Sequence, residues 1–383
     1  MKTLPSLVGA GAALALACHF SLTTAAAPDP RPGDPQDPLV QIALLLDTSN
    51  SMDGLIEQAK TQLWKIVNEF IGARREGRAP VVQVALYEYG NDRLSATQNY
   101  IRQVTPLTRD LDMISRELFS LRTCGGSEFC GAVIQRALED LAWDQSSQVY
   151  KTIFIAGNEP FTQGPVPHRR ACQMAIGKGI VVNTIHCGSE QDGLAGQWKA
   201  GADVAEGRFL VIDQDRAVVH IPSPVDARIE KLNLELNLTY IPYGKAGGAA
   251  RQNQFDQDLN ADNNRAAGAA VQRIASKASS NYWNAHWDLV DALKQKDFKI
   301  EALKAEDLPV ELQKMSQDER RSWIEKKSAE RAAIQKQILE LSEERKRYVT
   351  EKARAAAAGT PTLDDAVART VRAQAEAKGY RFR

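Results

Sequence analysis

The sequence predicts an α/β domain, a mainly parallel central sheet with helices on both faces and one antiparallel edge, followed by an all-helical C-terminal region. Two observations predict it. Apolar, strand-like runs at 39–46, 81–89, 99–105, 150–156, 180–186 and 208–212 mostly alternate with helix-like stretches near 54–75, 109–121, 131–143, 166–178 and 191–204. Such alternation favours a parallel sheet covered on both faces. Beyond Pro222-Ser-Pro224, strand signals give way to long runs rich in Ala, Glu, Lys, Arg and Gln, which favour helix. With 383 residues and 43% hydrophobic content, the chain has enough material for a sizeable core.

Taken in chain order, residues 1–27 have the layout of a secretory signal peptide: Lys2, an apolar core from about Leu7 to Ala17, and Ala25-Ala26-Ala27 before a proline. That apolar core is short for a membrane span. The mature protein is therefore expected to be exported: periplasmic, in the cell envelope, or secreted. The minor alternative is a lipid anchor at Cys18, where Ala15 stands in place of the larger aliphatic residue of a bacterial lipobox. Residues 28–38 form a proline-dense, extended spacer. The α/β domain is expected over 39–222 and the helical region over 223–383.

Within 54–75, Leu55, Ala59, Leu63, Ile66 and Phe70 recur at helical spacing, a core-facing stripe. The runs 81–89 and 99–105 have no helix between them, hence the antiparallel edge. In the helical region, pieces near 225–237, 251–277 and 281–304 read as helix, and Tyr240 to Tyr243 with Gly244 to Gly248 read as a break. Ser316-Gln-Asp-Glu319 has the form of a capping box and opens a helix to about Ala358. Along it Ile334, Ile338, Leu341, Arg345 and Tyr348 keep the 4-3-4-3 spacing of a short coiled-coil seam, expected to pack on neighbouring helices. A last helix runs to about Ala377.

Residues 44–54, Leu-Leu-Leu-Asp-Thr-Ser-Asn-Ser-Met-Asp-Gly, carry most of the functional signal. The apolar run ends in an Asp-x-Ser-x-Ser cluster, placed on the loop at the C-terminal end of a strand, the edge where open α/β sheets bind ligands. Asp47, Ser49 and Ser51, spaced by two, can turn one carboxylate and two hydroxyls toward a common point. An all-oxygen set suits a hard cation such as Mg²⁺. The plain alternative is an Asp/Ser-rich turn that caps the next helix.

These residues resemble the motif of the von Willebrand factor A-type domain, in which Asp-x-Ser-x-Ser begins a metal-ion-dependent adhesion site. The resemblance covers roughly 39–222, about half the chain, and implies Asp47, Ser49 and Ser51 as ligands of Mg²⁺ or Mn²⁺. It also implies Ser127, in Gly125-Gly126-Ser127, as the hydroxyl of the family's Gly-rich loop. The family's fifth residue is an Asp closing the fourth strand, and here Gly157 stands there. A carboxylate about 5 Å from a divalent ion contributes about 2 to 6 kcal/mol, so the departure weakens the site. Glu159, Asn158 and Glu128 each lie within two residues of a motif position, and Glu159 is the preferred replacement.

The four cysteines beyond the leader, Cys124, Cys130, Cys172 and Cys187, are an even set in a chain expected to be exported, which favours disulfides. Of three pairings, Cys124–Cys130 and Cys172–Cys187 are expected, the first across the Ser127 loop. Lys plus Arg equals Asp plus Glu at 48 each, so no net field attracts nucleic acid or anionic membrane. Asp256-Gln-Asp258-Leu-Asn260-Ala-Asp262 lacks the Gly and Glu of a calcium loop and reads as a solvated helix face. The histidines show no zinc spacing. Tyr282, Trp283 and Trp287 read as docking residues, and Asn237-Leu-Thr239 is a glycosylation sequon that matters only in a eukaryotic secretory host.

No base neighbours Ser49 or Ser51, which argues against a hydrolase. The expected function is a non-enzymatic protein-binding module whose divalent cation takes a partner carboxylate as its last ligand. The alternative is a metal-free structural or assembly protein whose helical region makes the contacts and can support oligomerisation. The protein partner stays unidentified on either reading.

Overall fold

The computed structural model describes residues 37–53, 64–212, 221–263, 268–356 and 363–382. The leader, Cys18 and all but the last two residues of the proline spacer lie outside the described residues. The α/β half comprises β1 (Leu39–Asp47), α1 (64–69), β2 (Ala73–Arg74), β3 (Val81–Tyr89), β4 (Ile101–Thr108), α2 (Leu111–Ser120), α3 (Cys130–Asp140), β5 (Tyr150–Gly157), α4 (His168–Gly177), β6 (Val181–Cys187), α5 (Glu190–Ala195), α6 (Trp198–Val204) and β7 (Phe209–Ile212). Six of these strands form one sheet in the order β4-β3-β1-β5-β6-β7. Only the β3–β4 pair is antiparallel.

All nine residues of β1 are buried, because the strand has a neighbour on each side and helices over each face. Val40, Ile42, Leu44 and Leu46 join one core cluster and Ala43 and Leu45 the other, the alternation that a pleated strand imposes. The edge strand β4 carries Pro106, and its register with β3 shifts near Leu86. Proline is tolerated at an edge, where no further strand needs its N–H. Positive φ at Gly90, Asn99 and Tyr100 shapes the connection that makes this pair a hairpin.

The helical half comprises α7 (Asp226–Asn237), α8 (Gly244–Asn263), α9 (Ala269–Lys277), α10 (Leu289–Ala292), α11 (Val310–Gln313), α12 (Gln317–Ala356) and α13 (Leu363–Glu376), and ends in β8 (Arg381–Phe382). It shares a core with the sheet. Val40, Leu44 and Phe154 belong to the same buried cluster as Ile229, Ile274, Ile338 and Val371. Gln374 of α13 accepts from Tyr150 Oη at 2.7 Å and donates to Asn183 Oδ1 at 2.7 Å, and β8 pairs with β2. The second cluster, with Val133, Ala137, Ala171 and Trp198, fills the opposite face under α3, α4 and α6.

The capping box is formed: Ser316 N–H donates to Glu319 at 2.7 Å and Glu319 N–H to Ser316 Oγ at 3.3 Å. The short seam packs on neighbouring helices, as expected. Ile334, Ile338 and Leu341 are buried inside this chain, and Arg345 reaches Asp226 at 2.8 Å, so the seam is consumed by intramolecular packing. The expected helix at 281–304 reduces to α10 and a 3-10 turn at Ile300–Ala302. Asp288 caps α10 through Asp291 N–H at 3.0 Å, and its other oxygen takes Ile241 N–H at 2.7 Å. The glycines at 244–248 start α8 rather than break the chain. In the Asp256–Asp262 stretch, Asp256 and Asp262 are exposed, whereas Asp258 turns inward to Arg273 and Lys277.

Neither expected disulfide is present: Cys124, Cys130, Cys172 and Cys187 are free thiols. Cys124 is held half-exposed in a loop whose backbone bonds Thr48 and Asp92, while Cys130 faces the Tyr89 hydroxyl at 3.7 Å in the core. Cys172, on α4, faces the core near Cys130, whereas Cys187 ends β6 near Gly157 and Asp47. Burial pushes the Cys172 thiol up to about 12. The fold directs these side chains to different neighbours.

Candidate metal centre

Counted in chain order without the two-residue β2, the six sheet strands run 3-2-1-4-5-6, and the connections reverse direction between β1 and β5. Such a switch point opens a crevice at the C-terminal strand ends. Asp47 ends β1 and Gly157 ends β5, so both lie at that crevice. Backbone bonds fix the surrounding loops: Thr48 N–H to Tyr89 O at 2.9 Å, Cys124 N–H to Thr48 O at 3.0 Å and Asp92 N–H to Cys124 O at 3.2 Å. Asn91 Nδ2 adds a bond to Arg122 O at 2.9 Å. The loops after β1 and β3 and the loop bearing Ser127 are thus stitched together.

Asp47, Ser49 and Ser51 lie together at the crevice. Asp47 Oδ1 accepts Ser49 N–H at 2.8 Å, the two hydroxyl oxygens lie 2.8 Å apart, and Ser51 Oγ donates to Asn158 Oδ1 at 3.0 Å. Asp47 is fully buried, and its Oδ2 has no hydrogen-bond partner of ordinary geometry. Burial, opposed by bonds from Ser49 and the nearby Asn158 N–H and reinforced by the Glu128 charge, pushes the Asp47 carboxyl up to about 7. A buried carboxylate with an orphaned oxygen is a costly arrangement that a cation would relieve.

Ser127 lies half-exposed on its loop beside Gly126, and Glu128 next to it is buried. Burial, together with the Glu159 and Asp92 charges, raises the Glu128 carboxyl above the ordinary range. Glu159 is half-buried; its carbonyl takes Trp198 Nε1–H at 2.8 Å and its Oε2 takes Gln163 Nε2–H at 3.4 Å. Among the described residues no group of three or more His, Cys, Asp or Glu stands at metal-holding spacing, so a cation here depends on hydroxyls. His186 pairs with Gly157 across β5 and β6 and packs its ring 5.6 Å from Trp198.

Sequence reasoning missed Tyr89. Its hydroxyl donates to Ala156 O at 2.9 Å and occupies the space beside Gly157, where an added Cβ would stand 2.6 Å from Tyr89 Oη and 3.1 Å from Asp47 Oδ2. The one sequence signal was that Tyr89 ends the next strand-like run, and the structure sets it in register with Asp47. Gly157→Asp should therefore fail to restore a fifth ligand. It is expected to cost about 1–3 kcal/mol through overpacking, with no gain in Mg²⁺ affinity by calorimetry. Adding Tyr89→Phe should recover part of the stability. Tenfold tighter Mg²⁺ binding by the single variant would refute this account.

No protein-family model matches the chain, and no curated protein does. Among solved structures it is similar to the conserved hypothetical protein BatB from Bacteroides thetaiotaomicron, at 18% identity and TM-score 0.35 over 45% of this chain and 90% of that one. It is similar to the SpRpn10 VWA domain at 18% identity and TM-score 0.36, over 49% of this chain and 90% of that one. A third likeness is to mussel byssus proximal thread matrix protein 1 with a zinc-occupied MIDAS motif, at 16% identity and TM-score 0.36, covering 47% of this chain and 43% of that one. At such values the likeness carries no argument, and the α/β architecture stands on this chain's own strand order and register.

Proposed function

We propose that the chain is an exported, non-enzymatic protein-binding module whose divalent-cation site engages a carboxylate of a partner protein. The observation that carries the reading is Asp47: a fully buried carboxylate at the sheet's switch point, with one oxygen unpartnered and two serine hydroxyls on the adjoining loop. Asp47, Ser49, Ser51 and Ser127 would hold Mg²⁺ or Mn²⁺, with Glu159 at the rim. A bound cation supplies a Lewis-acidic position for an incoming carboxylate. The chain's residues orient that position: Ser49 N–H fixes the Asp47 carboxylate, and Asn158 fixes Ser51. Export rests on residues 1–27 alone, since the free thiols no longer support it. Among the described residues no helix is long and apolar enough to cross a membrane.

Millimolar Mg²⁺ or Mn²⁺ should raise the melting temperature of the protein, because a ligand bound only to the native state stabilises it, by about 2.7 kcal/mol at a hundredfold excess over Kd. Asp47→Ala should abolish the shift. Unchanged melting in both proteins would favour the second reading, a metal-free assembly protein with contacts made by the helical half. Tyr89 speaks for that reading, since its hydroxyl fills the place beside Gly157.

A further inference from the structure

Gly157 contributes no side chain to the site, while on the loop after α2 a second carboxylate is buried beside Asp47. We propose that Glu128 is the second carboxylate ligand of the cation, supplying from the Ser127 loop the charge that Gly157 withholds. The inference rests on the cation-site reading and deepens it. Glu128 is 6% exposed, and glycines keep room for it. A Cβ at Gly90 would stand 2.9 Å from Glu128 Cγ and 2.8 Å from Asp47 Oδ1, and one at Gly126 would stand 3.4 Å from Glu128 Oε1. Both side chains therefore flank Gly90.

Ser49 lies between them, giving its N–H to Asp47 at 2.8 Å. The independent sign of a missing ligand is Asp47 Oδ2, buried and unpartnered. The charges that bear on the pair are each other, Glu159 and Asp92, all negative. Two buried carboxylates without a counter-ion oppose each other's ionisation, and a divalent cation between them would balance both charges. Glu159 is placed differently: its main chain is held by Trp198 and its carboxylate faces Gln163 at the rim.

The test uses the full chain with Mn²⁺ as the probe, read by titration calorimetry and by the Mn²⁺ paramagnetic resonance signal. Glu128→Gln should weaken binding by about tenfold or more, and Glu159→Gln by less than about twofold. Without metal, Glu128→Gln should melt at or above the wild-type temperature, because a buried repulsion is removed. Unchanged Mn²⁺ affinity in Glu128→Gln, or equal losses in both variants, overturns the proposal. A Glu128→Gln protein that melts lower without metal assigns the side chain a structural role and also overturns it. If the wild type itself binds no Mn²⁺, the cation-site reading fails first, a result distinct from the others.

Discussion

Arg331→Ala should lower the free energy of unfolding by about 3–5 kcal/mol, the range for removing one partner of a buried ion pair. The guanidinium is 2% exposed in the middle of α12, and it forks onto Asp288 with Nη1 to Oδ2 at 2.7 Å and Nη2 to Oδ1 at 3.0 Å. It also donates to Thr239 Oγ1 at 3.0 Å and Thr239 O at 2.7 Å, and lies 3.9 Å over the Tyr240 ring. Burial alone would lower its pKa; Asp288 outweighs burial and raises it. Alanine leaves Asp288 as a buried anion and takes the Arg331 donor from Thr239 O, while the Thr239 hydroxyl keeps its bond to Leu236 O at 2.6 Å. Urea unfolding measures the loss. Pairing Arg331→Met with Asp288→Asn should recover part of it, since the uncompensated charge is gone, and a single-variant loss below about 1 kcal/mol would show that water reaches the site.

Asp258→Ala should cost a similar amount, about 3–5 kcal/mol, at the joint between the helical half and α2. Asp258 takes Arg273 Nε–H and Lys277 Nζ–H, each at 2.7 Å, and Arg273 Nη1 continues to Asp112 on α2 at 2.8 Å. Without Asp258, Lys277 keeps only the Asn233 and Asn237 oxygens as partners in a fully buried place. Burial would raise the Asp258 pKa, yet Lys277 and Arg273 outweigh it and hold the carboxyl well below its ordinary value. A depressed folded pKa means that the unfolded chain binds the proton more readily. The Asp258 contribution is therefore complete above the unfolded value of about 3.9 and is lost progressively as pH falls below it. Urea midpoints from pH 6 down to about pH 2 should fall more steeply for wild type than for Asp258→Ala. Parallel curves would show that Asp258 is not the titrating group.

The strands were legible with little error: the expected run at 81–89 coincides with β3, and that at 39–46 falls one residue short of β1. These segments are apolar on both faces because the sheet is covered on both, and that burial is written into residue type. The helical half was harder. Its composition favours helix everywhere, so propensity could not show that 281–288 turns irregularly around Asp288 and Arg331, or that Gly244 opens a helix. The first follows from contacts to residues more than forty positions away.

By itself the sequence determined the α/β alternation, the antiparallel edge and the oxygen cluster of Asp47, Ser49 and Ser51, because each depends on neighbours within a few residues of chain. Only the tertiary structure decided that the four thiols stay unbridged, that the helical half completes the sheet's own core, that Tyr89 fills the place beside Gly157, and that Glu128 is buried next to Asp47. These outcomes depend on which strand ends and loops converge at one edge of the sheet. Distances between residues far apart in the chain are fixed by packing, and no local spacing encodes them.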